Sequence, residues 1–324
     1  MSTVLVTGGA GFIGSHIADG YIRSGWNVIV VDNLTAGNRE QVNPQAKFYR
    51  TSIGDSSLEE VFHNNNIDLV NHHAAQINVR ASVANPSFDA EQNIKGTLNL
   101  IECALRSGVK NLIFSSSGGA IYGNPQLLPA KETSPKLPLS PYGVSKYSVE
   151  LYLYFYRLVR GLNCITLRYA NVYGPRQDPK GEAGVIAIFS GEMNNGTIPA
   201  IFGTGQQTRD YVFVRDVVAA NLLATSHLDR LKNQDISSPD DIAFNIGTGR
   251  QTSVNDLFNR LATLSGFRHP PRYMSARAGE VEQISLDPER ARQILDWQPE
   301  TSLDKGLRET VASFDKTVST GQKP

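Results

Sequence analysis

The sequence predicts an α/β protein: a Rossmann-like, doubly wound parallel sheet, with a smaller mixed α/β substrate-binding domain after it. Three observations carry that expectation. A glycine-rich turn, Gly8-Gly9-Ala10-Gly11-Phe12-Ile13-Gly14, sits between a short apolar strand and a helix. Short apolar runs then alternate with helix-period segments through the first half of the chain, the rhythm of a parallel sheet with helices on both faces. Beyond Gly174 that rhythm loosens into short strands mixed with helices. The expected division is residues 1–174 for a dinucleotide-binding domain carrying the reactive groups and 175–324 for the substrate domain, with some chain crossing between them.

Taken in order, Thr3 to Thr7 reads as the first strand and Ser15 to Ser24 as the first helix. Glycines between them let the backbone approach a pyrophosphate, and the helix N-terminus favours the anion. A second apolar strand, Asn27 to Val31, ends at Asp32, near the spacing expected for a ribose carboxylate. That carboxylate accepts from a 2′-hydroxyl and repels a 2′-phosphate. Asn33 and Leu34 follow with no adjacent arginine, which favours NAD over NADP.

Lys47 to Ile53 is strand-like, Ser56 to Asn65 helical and Asp68 to Ala75 strand-like again. One long helix is expected from Ser87 to Ser107, then a strand from Asn111 to Ser117 and a proline-spaced loop from Asn124 to Pro141. Tyr142 to Arg160 reads as a helix and Cys164 to Val172 as a strand. The second half offers strands at Ile198 to Phe202, Asp210 to Val214 and Ala243 to Ile246. Its helices fall near Val217 to Thr225, Val254 to Leu264, Pro288 to Leu295 and Leu303 to Thr317. Gly8, Asp32, Ala74, Ser117 and Asn171 all fall at or just past strand C-termini, where open α/β sheets bind ligands.

Tyr142 and Lys146 stand four residues apart, one helical turn, and so share a face. A nearby ammonium favours phenolate over phenol, so the tyrosine's pKa is expected to fall toward working pH. Such a tyrosine can take a proton from an alcohol. With a hydride acceptor in place, the chemistry implied is alcohol oxidation.

Composition narrows the field. The 324 residues are 40% hydrophobic and 19% charged, which suits a globular chain with a sizeable core. Lys plus Arg and Asp plus Glu each total 31, so no basic field argues for nucleic acid. No apolar run approaches a membrane span. The fingerprint begins almost at residue 1, leaving no room for a signal peptide, and a cytoplasmic location is expected. Cys103 and Cys164 lie in apolar contexts that suit buried thiols in a reducing compartment. No Cys/His spacing suggests a metal site. His72 and His73 read as packing and hydrogen-bonding residues.

Together these stretches resemble the extended short-chain dehydrogenase/reductase superfamily, and within it the NAD-dependent nucleotide-sugar epimerases of the UDP-glucose (UDP-galactose) 4-epimerase type. The resemblance rests on the glycine turn, His72-His73-Ala74-Ala75-Gln76, Asn93-Ile94-Lys95-Gly96-Thr97, the run Ser115 to Gly123 and the Tyr142/Lys146 pair. It continues through Leu167 to Arg176, Arg209-Asp210-Tyr211 and Arg277-Ala278-Gly279-Glu280. It implies that Tyr142 takes the proton from the sugar O4 while C4 gives hydride to NAD. Lys146 holds the nicotinamide ribose and, with the positive nicotinamide ring, depresses the tyrosine's pKa. Ser117, with Ser116 in reserve, bonds O4, and the 4-keto sugar turns over to take hydride back on its other face.

The resemblance assigns the cofactor to Gly8, Gly11, Phe12, Ile13, Gly14, Asp32, Asn33, Leu34, Thr35, Gly37, Ser52, Ile53, Ala74, Ala75, Gln76, Asn93, Ser115 and Tyr169, besides Tyr142 and Lys146. It assigns the UDP-sugar to Ser117, Asn171, Val185, Phe202, Arg209, Arg277 and Glu280. Family dimers pair the Ser87 and Tyr142 helices, so a homodimer is implied, and the aromatic run Tyr152, Tyr154, Phe155, Tyr156 suits burial there.

Departures from the pattern bear on specificity. Related dehydratases carry an Asp-Glu pair after the catalytic hydroxyl, where this chain has Gly118-Gly119-Ala120, so dehydration lacks its acids. Thr51-Ser52-Ile53 stands where relatives often have Gly-Asp-Ile. Ile284 occupies the position that controls room for a 2-N-acetyl group. UDP-glucuronate and UDP-N-acetylglucosamine therefore stay open as substrates. A simple dehydrogenase or a non-catalytic NAD sensor is the more distant alternative.

Overall fold

The computed structural model describes residues 1–179, 184–276 and 281–314. Its centre is a seven-stranded parallel sheet. Six of its strands come in chain order from the first half: β1 (Thr3–Thr7), β2 (Asn27–Val31), β3 (Lys47–Tyr49), β4 (Leu69–His72), β5 (Asn111–Ser117) and β6 (Asn163–Tyr169). The spatial order is Ala243–Ile246, β6, β5, β4, β1, β2, β3. Period-2 alternation divides the strand residues between two cores. Val4, Val6, Val28 and Val30 face Ile17, Tyr21, Val217 and Ala224 of the Phe12–Arg23 and Val214–Leu231 helices. Leu5, Ile29, Val70 and Phe114 face Val61, Leu100, Val149 and Leu153 on the other side. With both faces covered, the middle residues of the strands are mostly apolar, as buried parallel sheets require.

The strand order reverses between β1 and β4, so the ligand crevice belongs outside the C-terminal ends of those two strands. A third core, built on Tyr173, Phe189, Ile201, Phe213, Leu257, Leu261 and Leu307, forms the smaller lobe above that edge. The chain leaves the main sheet at Ala170. The expected single strand Cys164 to Val172 is two strands. β6 ends at Tyr169, Ala170 N donates to Ile246 O at 2.9 Å, and Asn171–Tyr173 pairs instead with Tyr211–Phe213. The chain later returns, because Ala243–Ile246 pairs in parallel with β6, Ile246 opposite Tyr169. A cut at Gly174 thus does not separate the two cores in sequence.

Other differences have local causes. The expected Ser87 to Ser107 helix is the Pro86–Ala90 helix, a π-turn at Glu91–Lys95 and the Gly96–Arg106 helix. Asn85 caps it by accepting from Phe88 N at 3.0 Å. The π-turn carries Asn93, whose side chain is held by the Gln76 backbone, so the helix widens where it meets the loop after β4. β3 stops at Tyr49 rather than Ile53, and the helix expected near Val217 to Thr225 runs from Val214 to Leu231. Helices at Val79–Ala84 and Val185–Asn194 were not legible as such. Cys103 and Cys164 are buried free thiols. Among the described residues no helix is long and apolar enough to cross a membrane.

Candidate active site

The crevice floor is a close approach of two backbones. Gly8, at the end of β1, has φ +69°, and a Cβ there would lie 2.7 Å from Ala74 N, just past β4. A Cβ on Gly14 would lie 2.1 Å from Gly8 O. Gly11 caps the Phe12–Arg23 helix without any side-chain hydrogen bond, and no acid stands in the first turn. The first-turn N–H groups, Phe12 and Ile13 among them, thus form an uncapped positive helix end suited to a diphosphate.

Asp32 is buried at the end of β2, its Oδ2 accepting from Ala10 N at 3.0 Å and its Oδ1 from Leu34 N at 2.8 Å. Leu34 takes φ +62°, and Asn33 Oδ1 accepts from Thr35 N and Oγ1. Gly37 closes the loop so tightly that a Cβ would lie 2.9 Å from Asp32 Oδ1. A carboxylate fixed beside a glycine cradle that any Cβ would fill is the donor and acceptor set a dinucleotide needs.

The loop after β4 carries further predicted cofactor residues. Thr7 Oγ1 accepts from His73 N and Ala74 N, each at 3.1 Å, and so holds the Ala74-Ala75-Gln76 segment to β1. Asn93 accepts from Gln76 N at 2.8 Å and donates to Gln76 O at 2.9 Å, so its amide fixes that segment directly. Ser52 N donates to Asp55 Oδ2 at 3.2 Å, and Ile53 is buried past β3. Tyr169 stacks on His73 and its hydroxyl meets Asn221 Nδ2 at 2.8 Å and His73 Nε2 at 3.1 Å. Burial pushes the His73 pKa down to about 3, so that imidazole is neutral.

The reactive groups sit on the Pro141–Arg160 helix, which starts at Ser140, whose Oγ accepts from Gly143 N at 3.2 Å, with Pro141 in its first turn. Tyr142 follows at once and Lys146 lies one turn on. Ser117, at the end of β5, lies beside the Tyr142 hydroxyl and favours its phenolate form. Lys146 Nζ donates to Ser115 O at 2.9 Å and lies 4.8 Å from the Phe114 ring centre and 5.9 Å from that of Tyr142. Strand alternation separates the serines. Ser115 Oγ donates to His72 O at 2.9 Å, whereas Ser116 points away and donates to Glu150 at 2.5 Å. Ser117, not Ser116, is therefore the hydroxyl beside the phenol.

The electrostatics correct one expectation. Lys146 does not pull the phenol down: burial pushes the Tyr142 pKa up to about 12, the Ser117 hydrogen bond offsets part of that, and Asp89 adds to the rise. Lys146 itself is lowered to about 8 by burial, against the favourable charges of Asp89 and Glu150. Sequence spacing gave the shared face but not that Lys146 is buried while Tyr142 keeps part of its surface exposed.

On the substrate side, a Cβ on Gly119 would lie 3.5 Å from Asn171 Oδ1 and 4.0 Å from Ser117 Oγ, so these three converge. Gly118 packs under Leu286, leaving no room for a side chain. Arg209 Nη1 donates to Thr208 O at 2.8 Å. Phe202 ends a short strand and Val185 begins a helix. Ile284 is buried in the core. Arg277 and Glu280 lie outside the described residues.

Sequence reasoning missed what holds this pair in place. Arg168, fully buried behind the site, pairs with Glu150 at 2.6 Å and Asp240 at 2.7 Å and donates to Tyr122. Asp89, also fully buried, accepts from Ser145, Gln76 and Asn93. Only the Asp89/Asn93 spacing of four residues on an expected helix hinted at the latter.

With this geometry established, comparison adds its findings. A model of the NAD dependent epimerase/dehydratase family matches residues 4–247. The chain is 47% identical over 308 residues to a putative UDP-glucose 4-epimerase of Methanocaldococcus jannaschii, covering 95% of this chain and 97% of that one. It is similar in structure to a UDP-glucose 4-epimerase of Thermotoga maritima with UDP-glucose, at TM-score 0.91 and 49% identity over 98% of this chain and 99% of that one. The Thermus thermophilus UDP-glucose 4-epimerase, in complex with NAD, superposes with TM-score 0.87 at 38% identity, covering 97% and 99%.

Proposed function

The chain belongs to the NAD dependent epimerase/dehydratase family, and from that premise we propose that it interconverts UDP-glucose and UDP-galactose at C4 through a transient 4-keto sugar. The observation that carries this reading is that Ser117 and the buried Lys146 both lie beside Tyr142. NAD, when bound, supplies the reversible hydride acceptor for C4.

The chain's residues do the rest. Tyr142 takes the O4 proton and later returns it. Ser117 shares that proton's hydrogen bond and orients O4. Lys146 holds the ribose side of the cofactor, with Asp32 at the other ribose and the uncapped Phe12–Arg23 helix end at the diphosphate. Arg209 and Asn171 hold the UDP diphosphate while the hexose turns; Arg277 and Glu280 complete that assignment by resemblance. Gly118-Gly119-Ala120 offers no acid, which keeps the reaction at C4 and away from elimination. Because hydride returns to the same carbon, no net redox change occurs.

We also propose a cytoplasmic homodimer. Leu151, Tyr152, Phe155, Leu158 and Val159 stand exposed along the Pro141–Arg160 helix, an apolar face that a second copy covers. Tyr156 is buried and Tyr154 Oη donates to Ser237 O, so the aromatic run serves two surfaces. Two buried free thiols suit a reducing compartment.

The test is incubation with UDP-galactose, UDP-glucuronate and UDP-N-acetylglucosamine, with C4 epimers followed by chromatography. Conversion of UDP-galactose without accumulation of free NADH supports the reading. Stoichiometric NADH release makes the protein a dehydrogenase instead. Light scattering on Leu158→Glu, expected to be monomeric where the parent is dimeric, tests the face.

A further inference from the structure

The buried carboxylate of Asp89 takes no part in the chemistry just described, yet it ties the helix of the reacting pair to the loop after β4 and to the π-turn. It is 0% exposed. Its Oδ2 accepts from Ser145 Oγ at 2.6 Å. Its Oδ1 accepts from Gln76 Nε2 at 2.9 Å and Asn93 Nδ2 at 3.0 Å. Ser145 immediately precedes Lys146 on the Pro141–Arg160 helix, Gln76 belongs to the loop after β4, and Asn93 lies on the π-turn. Three elements thus converge on one negative charge.

A buried carboxylate is stable only where donors or a counter-charge compensate it. The three donors are neutral, and Lys146, one residue past Ser145, is a cation that feels the Asp89 charge. The groups facing Lys146 are few. On its own helix they are Tyr142, which carries no charge as a phenol, and Glu150, already paired with Arg168. From β4 come His72 and His73, both held neutral by burial, and from the Pro86–Ala90 helix comes Asp89.

We propose that Asp89 is a positioning residue for the proton-transfer pair: it locks the Ser145 turn between Tyr142 and Lys146 and supplies the buried negative charge that keeps Lys146 an ammonium. It acts through Lys146, not on the substrate. This rests on the epimerase reading for its consequence in turnover, but the charge balance itself does not.

Two readouts keep those apart. In NAD-loaded protein labelled with ¹⁵N-lysine, the Lys146 Nζ resonance, identified by its loss in Lys146→Met, is followed against pH. Asp89→Asn is expected to move its midpoint down by about one pH unit, the scale of a lost neighbouring charge. Ser145→Ala removes one donor and keeps the charge, so its midpoint should stay with the parent. The alkaline limb of kcat for UDP-galactose should shift with the Asp89→Asn midpoint, whereas a merely structural role would lower kcat evenly across pH. An unmoved midpoint in Asp89→Asn overturns the proposal, as does an equal shift in Ser145→Ala. Where Asp89→Asn does not fold, Asp89→Ser takes its place. If the parent turns over no UDP-sugar, the epimerase reading fails while the titration still decides the role of Asp89.

Discussion

Lys146→Met should uncouple stability from function in a pH-dependent way. Lys146 is fully buried and its pKa falls from the ordinary 10.5 to about 8. Below pH 8 both folded and unfolded chains hold the proton, and the folded state carries the full penalty of a buried ammonium. Between pH 8 and 10.5 the folded chain is neutral while the unfolded one is still charged. Unfolding then takes up a proton, and stability rises with pH. A difference of about 2.5 units corresponds to roughly 3 kcal/mol.

Methionine fills the aliphatic path over the Phe114 ring and never carries the charge. It leaves Ser115 O without its donor, about 1 kcal/mol. The packing and hydrogen-bond losses depend little on pH, and the charge coupling to Asp89 is already contained in the lowered pKa of Lys146. The informative quantity is therefore the double difference: stability of parent minus variant at pH 10, less the same at pH 7. We expect it to be positive and on the order of 2–3 kcal/mol. Urea unfolding of the NAD-stripped proteins at both pH values measures it, since bound cofactor would stabilise the two unequally. A double difference near zero would show that Lys146 is not desolvated as the structure has it.

Tyr142→Phe should lower kcat by roughly 10³-fold, within the range of general acid–base contributions, while the melting temperature and NAD content hold. Activity within tenfold of the parent would remove Tyr142 from its role. Ser117→Ala should lower kcat by about 10- to 100-fold, the value of a hydrogen bond to a charged oxygen. Ser116→Ala should instead lower stability by about 1–2 kcal/mol by depriving buried Glu150 of a donor, with little change in kcat. The reverse pattern would exchange the two serines. Gly14→Ala forces a Cβ to within 2.1 Å of Gly8 O, in backbone that cannot yield, and should weaken NAD binding by at least about tenfold. Gly25→Ala, with φ +81° and nothing within 4 Å, should cost about 1 kcal/mol of stability and leave NAD titration unchanged.

What was legible in the sequence was local. The glycine turn, Asp32 and the Tyr142/Lys146 spacing are set within one strand–turn–helix or one helical turn, and the structure gathers them at one crevice. The parallel sense of the sheet follows from the alternation of apolar runs and helices. What stayed hidden depends on partners distant in sequence. Ser116 and Ser117 are equivalent in composition; their separation needs the strand's alternation together with Glu150, 34 residues from Ser116, on one side and Tyr142 on the other. The break at Ala170 comes from two sheets competing for one segment, Ile246 O on one side and Asp210 O on the next residue. No propensity marks such a change of partner. The π-turn at Glu91–Lys95 needs the Gln76 backbone, 17 residues from Asn93.

The inverted tyrosine shift carries the most consequence for mechanism. A phenol with a pKa of about 12 is ionised at pH 7 in roughly one molecule in 10⁵; burial supplies about two of those five units, roughly 3 kcal/mol, and the rest is the ordinary acidity of a phenol. Asp89 pushes in the wrong direction for Tyr142 and the right one for Lys146. Both effects follow from one buried negative charge, which favours every proton near it. The arrangement is therefore arranged for storage rather than for base strength: the phenol holds its proton and the amine holds its charge until another positive group shares the pocket. A site with an idle phenolate would be free to act on any alcohol that entered. One whose base forms only on assembly confines proton removal to the complete complex, and Ser117 is the group in the chain already placed to stabilise the oxyanion when it forms.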